Sequence, residues 1–133
     1  MIVVVIIGIL AALGIPAFQR VRERSIASRL TNDFRQFEAG VQRYILESGQ
    51  TPAAALGGVV PTGMDGYLPA SYTLPSPLGG NYLRSGPSAN IVLRGSSATD
   101  ALMQPIDDAL DDGDLTTGNY TEIIGTGYGY RVN

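Results

Sequence analysis

The first eighteen residues, MIVVVIIGILAALGIPAF, carry no charge and almost no polar side chain, and directly after them the chain turns periodic. Ile26, Leu30, Phe34, Phe37, Val41 and Tyr44 recur at spacings of 4, 4, 3, 4 and 3, which is one face of an α-helix. Arg22, Arg29, Gln36 and Arg43 fall on the other side. The pattern predicts one helix over residues 1–48. Gly49 can supply the left-handed residue beyond its last turn, and Pro52 prevents its resumption. At ~1.5 Å per residue such a helix is about 72 Å long, more than so small a globule can contain. Half of it must project, as the handle of a lollipop whose head covers the stripe from Ile26 to Tyr44.

The apolar run spans roughly 27 Å, close to the ~30 Å thickness of a bilayer's hydrocarbon. A secretory signal needs a basic leader region and a small-residue cleavage site, and the run has neither. A buried core helix would need wrapping on every face, for which a chain of this size lacks material. Within the run, Gly8, Gly14 and Pro16 weaken the helix, because Pro16 has no N–H for the carbonyl of Ala12 and each glycine costs roughly 1 kcal/mol relative to alanine. This is the stretch expected to bend or unwind.

Beyond residue 50 the composition shifts: 13 of 17 glycines and seven of eight prolines lie there. The chain divides into an apolar helix (1–18), an amphipathic helix (19–48) and a head (49–133), the head having a loop over 50–78 and a sheet with a short helix over 79–133. Turn signals stand at Gly57-Gly58, Asp65-Gly66 and Ser76-Pro77. Strands are expected at about 81–84 and 90–94, joined by Ser85-Gly86-Pro87-Ser88. A hairpin of 119–124 and 127–132 should turn at Gly125-Thr126. A short helix near 99–110 has Thr99 as its N-cap and Leu102, Ile106 and Leu110 at four-residue spacing, unless Pro105 moves its start to itself. Tyr128, Tyr130 and Val132 share a strand face and should pack on Phe34, Phe37 and Val41. The fold class is therefore α+β, a long helix packed on a small antiparallel sheet.

Composition narrows the chemistry. All nine basic residues are Arg, and Lys, His, Cys and Trp are absent. That excludes disulfides, Cys/His zinc sites, Ser/His and Cys/His catalysis and Lys Schiff bases; composition leaves a carboxylate-based hydrolase open, but no motif supports one and no enzymatic activity is expected. The net charge of −3 disfavours nucleic acid as a partner. The charge is uneven: residues 1–50 carry six Arg against four acids, and residues 51–133 three Arg against eight. Five of those acids, Asp107, Asp108, Asp111, Asp112 and Asp114, form the one constellation with metal-like chemistry. An EF-hand register fails, since Leu110 takes the third position and Asn119 the twelfth. A solvated acidic turn is the preferred reading. Calcium at Asp108, Asp111, Asp112 and Asp114, or pairing with a neighbour's arginines, are the alternatives. Asn119-Tyr120-Thr121 is a formal glycosylation sequon and is discounted.

The run MIVVVIIGILAALGIPAFQ, followed by an amphipathic helix and a Gly/Pro-rich head, resembles the type IV pilin and type II secretion pseudopilin family. The match is specific over about 19 residues in the order of Gly8, Ala11-Ala12, Gly14 and Pro16, and is one of pattern over 20–48. The resemblance implies a filament subunit whose apolar helices wait in the inner membrane and then pack together. Val4, Ile6, Ile9 and Leu13 would be core contacts, and Gly8, Gly14 and Pro16 the stretch that unwinds. It also implies a basic leader, a methylated first residue and a glutamate that pairs with a neighbour's N-terminus. None has a counterpart here, so Met1 is expected to be a truncated or miscalled start, or the chain a piece of a longer one. The positive-inside rule applied to Arg20, Arg22 and Arg24 alone would put the head in the cytoplasm, and a basic leader would outweigh them. The expected partners are copies of the same chain, the inner membrane and the assembly machinery. The expected location is the inner membrane and then an extracellular filament. A major-type pseudopilin of a type II secretion system, acting in the periplasm, and a monomeric membrane-anchored binding module are the alternatives. In related secretion systems major pseudopilins carry calcium in a C-terminal loop.

Overall fold

Helix α1 runs unbroken from Ile2 to Ser48 in the computed structural model, which describes residues 1–86, 90–123 and 127–132. It stops where the sequence supplies a stop: Gly49 takes φ 69°, and its N–H donates to the carbonyl of Ile45 at 2.8 Å. Pro16 lies inside the helix without ending it. Only the second half of α1 has a protein environment. Ala27, Leu30, Phe34, Phe37 and Val41 are buried, and Ile26 and Tyr44 half-buried.

The head is built around that stripe. Strands β1 (Asn81–Ser85), β2 (Asn90–Arg94), β3 (Tyr120–Ile123) and β4 (Gly127–Arg131) form an antiparallel sheet of order β1-β2-β4-β3. Two hairpins thus meet along β2 and β4, with helix α2 (Asp100–Leu110) in the connection between them. The register sets Tyr82 opposite Leu93, Ile91 opposite Tyr130 and Tyr120 opposite Tyr130, so aromatic and branched side chains share one face. Phe34 meets that face with its ring centroid 5.4 Å from Tyr120 and 5.9 Å from Tyr82, both edge-on. Such pairs add about 1 kcal/mol each to the area they bury.

Three expectations change in detail. Tyr130 does approach Phe34, at 6.5 Å, but Phe37 packs on Tyr72 and Tyr82, and Tyr128 stacks on Tyr120 at 6.4 Å. The sequence between α1 and the sheet could not announce Tyr72. It sits in a 3-10 helix, Ala70–Thr73, within the stretch read as loop, which also pairs with β1 through an Ala55–Arg84 bridge. In α2 the helix passes through Pro105 from a start at Asp100, with Thr99 extended as N-cap. Its buried residues are Met103, Ile106 and Asp107, and Leu102 and Leu110 are half-buried, so the inward face is rotated from the expected one. The expected turn at Gly125-Thr126, and Pro87 and Ser88 of the other connection, lie outside the described residues.

Candidate functional site

Residues 1–25 of α1 are exposed along their whole length. Val4, Ile6, Ile9 and Leu13 are each more than half exposed, and no side chain of the head reaches them. At 100° per residue Val4 points away from Ile6, Ile9 and Leu13, so these four are not one seam. The segment is apolar around its full circumference. Burying one such aliphatic side chain gains about 1.5 to 3 kcal/mol, and a contiguous apolar surface this large marks an interaction site. Its length and composition suit a membrane, and an N-terminal helix of this kind suggests membrane association or a signal sequence. A Cβ at Gly8 or Gly14 would touch nothing within 4 Å, as expected of an uncovered helix.

Between this stalk and the head stands a collar of arginines. Arg20, Arg22, Arg24 and Arg29 are exposed, and the one ion pair among the described residues lies elsewhere, Arg43 to Glu47 at 2.9 Å. Arg20, Arg24 and Arg35 border a groove of ≈ 620 Å³ between α1 and α2, floored by Ala27, Leu102, Pro105 and Ala109. At its far end Arg35 donates to the carbonyl of Ala109 at 2.7 Å.

The acidic residues gather where α2 ends. Asp107, Asp111 and Asp112 each offer a carboxylate oxygen within 4.8 Å of the others. Asp111 accepts from the backbone N–H groups of Asn119 and Tyr120, Asp112 from the N–H of Asp114 (3.0 Å) and the Thr117 hydroxyl (2.8 Å), and Asp114 from Thr116. These bonds fold the turn on itself. Asp108 is exposed and makes no hydrogen bond or ion pair among the described residues. Of the four aspartates expected to hold calcium, only Asp111 and Asp112 belong to the close trio. Asp107, which is buried, joins them. Calcium takes six to eight oxygens, so at such a trio the second carboxylate oxygens, carbonyls or water would have to supply the rest.

The burial of three charged residues escaped the sequence reading. Asp107 is fully buried with neither oxygen hydrogen-bonded, and burial, then the charges of Asp112, Asp111, Asp108 and Asp114, push its carboxyl up to about 6. The i, i+3, i+4, i+7 spacing of Met103, Ile106, Asp107 and Leu110 is the signal that could have found it. Arg84 is buried on β1 with all three guanidinium nitrogens unpartnered, and burial lowers its pKa. It stands two residues from Tyr82 and so points to the same core face. The nearby Tyr72 hydroxyl is also unpartnered, and burial raises it to about 12. By contrast, Asp33 on α1 is buried but satisfied, accepting from the Tyr82 hydroxyl at 3.0 Å.

No family model, curated protein or solved structure matches the chain. The long apolar N-terminal helix packed on a four-stranded antiparallel sheet is a pilin-like architecture, compatible with a pilin-like subunit.

Proposed function

We propose that the chain is a structural subunit, not an enzyme, of a type IV pilus-like filament assembled through its N-terminal helix. One observation carries the reading: a single helix is apolar and uncovered over residues 1–18, yet forms the core of a folded head from Ile26 to Tyr44. Lipid satisfies the exposed half first, and neighbouring stalks satisfy it afterwards. Because the stalk is apolar all round, it needs neighbours on several sides, as a subunit inside a filament has and a dimer has not. The acidic cluster and the arginine collar are then surface features of the subunit rather than catalytic groups.

Cell fractionation tests the reading. In the native host the chain should divide between the inner-membrane fraction and long fibres sheared from the cell surface, and immunogold should decorate those fibres. Detection in short periplasmic assemblies alone would favour a pseudopilin of a secretion system. Recovery only as a membrane-bound monomer would replace both with an anchored binding module.

A further inference from the structure

We infer that in the assembled filament the groove between α1 and α2 of one subunit receives the acidic end of α2, led by Asp108, from a second copy of this chain. The inference rests on the filament reading and specifies its contact. Charge complementarity is the first argument. Arg20 and Arg24 border the stalk end of the groove against a single carboxylate, Glu23, and neither has an ion-pair partner among the described residues. Asp108 is the exposed carboxylate of the acidic turn that its own fold leaves unengaged, while Asp111, Asp112 and Asp114 are held by backbone and hydroxyl donors. The chain is thus positive where the stalk meets the head and negative where α2 ends. Arg35 stands beside the acidic end within the subunit, while Arg20, Arg22 and Arg24 have no ion-pair partner among the described residues.

Geometry supplies the second argument. Helix α2 lies along α1 in the same direction: Ala101 and Leu102 flank the groove beside Arg20 and Arg24, and Ala109 meets Arg35. The two patches are therefore separated along α1 by the distance from Arg22 to Arg35, roughly 20 Å at ~1.5 Å per residue. One subunit cannot fold its acidic end back to its own collar. A parallel copy displaced by that distance brings the two together, and stalks anchored in one membrane are already parallel. The contact joins two different patches, so it repeats head to tail and generates an open helix rather than a closed dimer. Exposed charge pairs add little strength, and their role here is to fix the axial register.

The absence of cysteine makes a clean test possible. Filaments of the full chain carrying both Arg24→Cys and Asp108→Cys should give a ladder of covalent multimers on mild oxidation, and either single variant should give none. A charge exchange covers the case in which the cysteine variant does not assemble. Arg24→Asp and Asp108→Arg should each lower the yield of sheared fibres severalfold, and the two together should restore it. Fibres that form without the ladder, ladders from a single variant, or an exchange that fails to restore yield would overturn the contact. Absence of fibres from the unaltered chain would instead overturn the filament reading.

Discussion

The two halves of α1 share one backbone and one set of helical hydrogen bonds, yet they are stabilised by different surroundings. From Ile26 to Tyr44 one face is covered by Tyr72, Tyr82, Tyr120 and Tyr130, and the other carries charge into water. Before residue 19 there are no two faces, because every direction is apolar and every direction is open. Amphipathic periodicity therefore marks where the chain finds its own cover, and its loss marks where the head supplies none. The change of pattern after Phe18 comes shortly before Ile26, where the head begins to cover α1.

The largest expected effect comes from placing a charge in the first half. Ile9→Asp should abolish fibres, since a carboxylate at the middle of the apolar segment costs about 3 kcal/mol in lipid and has no partner among stacked stalks. The thermal unfolding midpoint of the head in detergent should stay where it was. A normal fibre yield would break the comparison, because it would mean that the stalk's apolar character is dispensable.

Phe34→Ala makes the opposite cut. Phe34 is fully buried and its ring meets three tyrosines. Truncation should cost about 3 to 5 kcal/mol and unfold or nearly unfold the head, while the chain remains in the membrane fraction. Circular dichroism melts and fractionation of the same variant read the two halves separately.

A smaller effect should follow pH through Asp107. Its carboxyl titrates near 6 in the folded head and near the ordinary aspartate value of about 4 in the unfolded chain, so the folded state holds the extra proton between them. Stability from this group is accordingly present below about pH 4 and lost as pH rises through about 6, by an amount on the order of 2 kcal/mol. Asp107→Asn removes the titration. The difference in melting midpoint between the unaltered chain and this variant should change between pH 4.5 and pH 7, measured in the same detergent at about these two pH values. A constant difference would mean that Asp107 is already ionised and solvated at the lower value.

How far these features were legible in the sequence depends on whether the signal was local. The helix, its buried stripe and its stop at Gly49 follow from spacing and from one glycine's backbone freedom, and four of the strands' approximate positions follow from turn residues. Arg84 and Asp107 were not read as buried because a charged residue is assigned to the surface by its chemistry, although both stand at inward positions of their own periodic patterns. The pairing of β2 with β4 joins residues far apart in the chain and has no local mark. Tyr72 reaches Phe37 only because the 3-10 helix folds the intervening stretch over α1, and that follows from tertiary packing rather than from any motif.

The finest test of the comparison uses one residue type twice in one helix. Gly40 lies under the backbone of the Tyr67 region, and a Cβ there would run into the Tyr67 carbonyl oxygen, closer than real Cβ atoms come to backbone oxygen. Gly14 faces nothing within 4 Å. Alanine gains about 1 kcal/mol of helix propensity at either site, so propensity alone predicts the same outcome twice. At Gly40 the clash forces the 50–78 segment away from α1, and the net change should be a loss of about 1 to 2 kcal/mol, seen as a lower melting midpoint of the head. At Gly14 the head's midpoint should not move, because the residue lies outside the head's cooperative unit. The helix there becomes stiffer, which matters only where the stretch from Gly8 to Pro16 has to leave helical geometry in the filament. Gly14→Ala should then lower fibre yield modestly while leaving the subunit's own stability unchanged. Unchanged yield would show that the stalk stays helical on assembly, and a shifted head midpoint would show that the two halves of α1 are coupled.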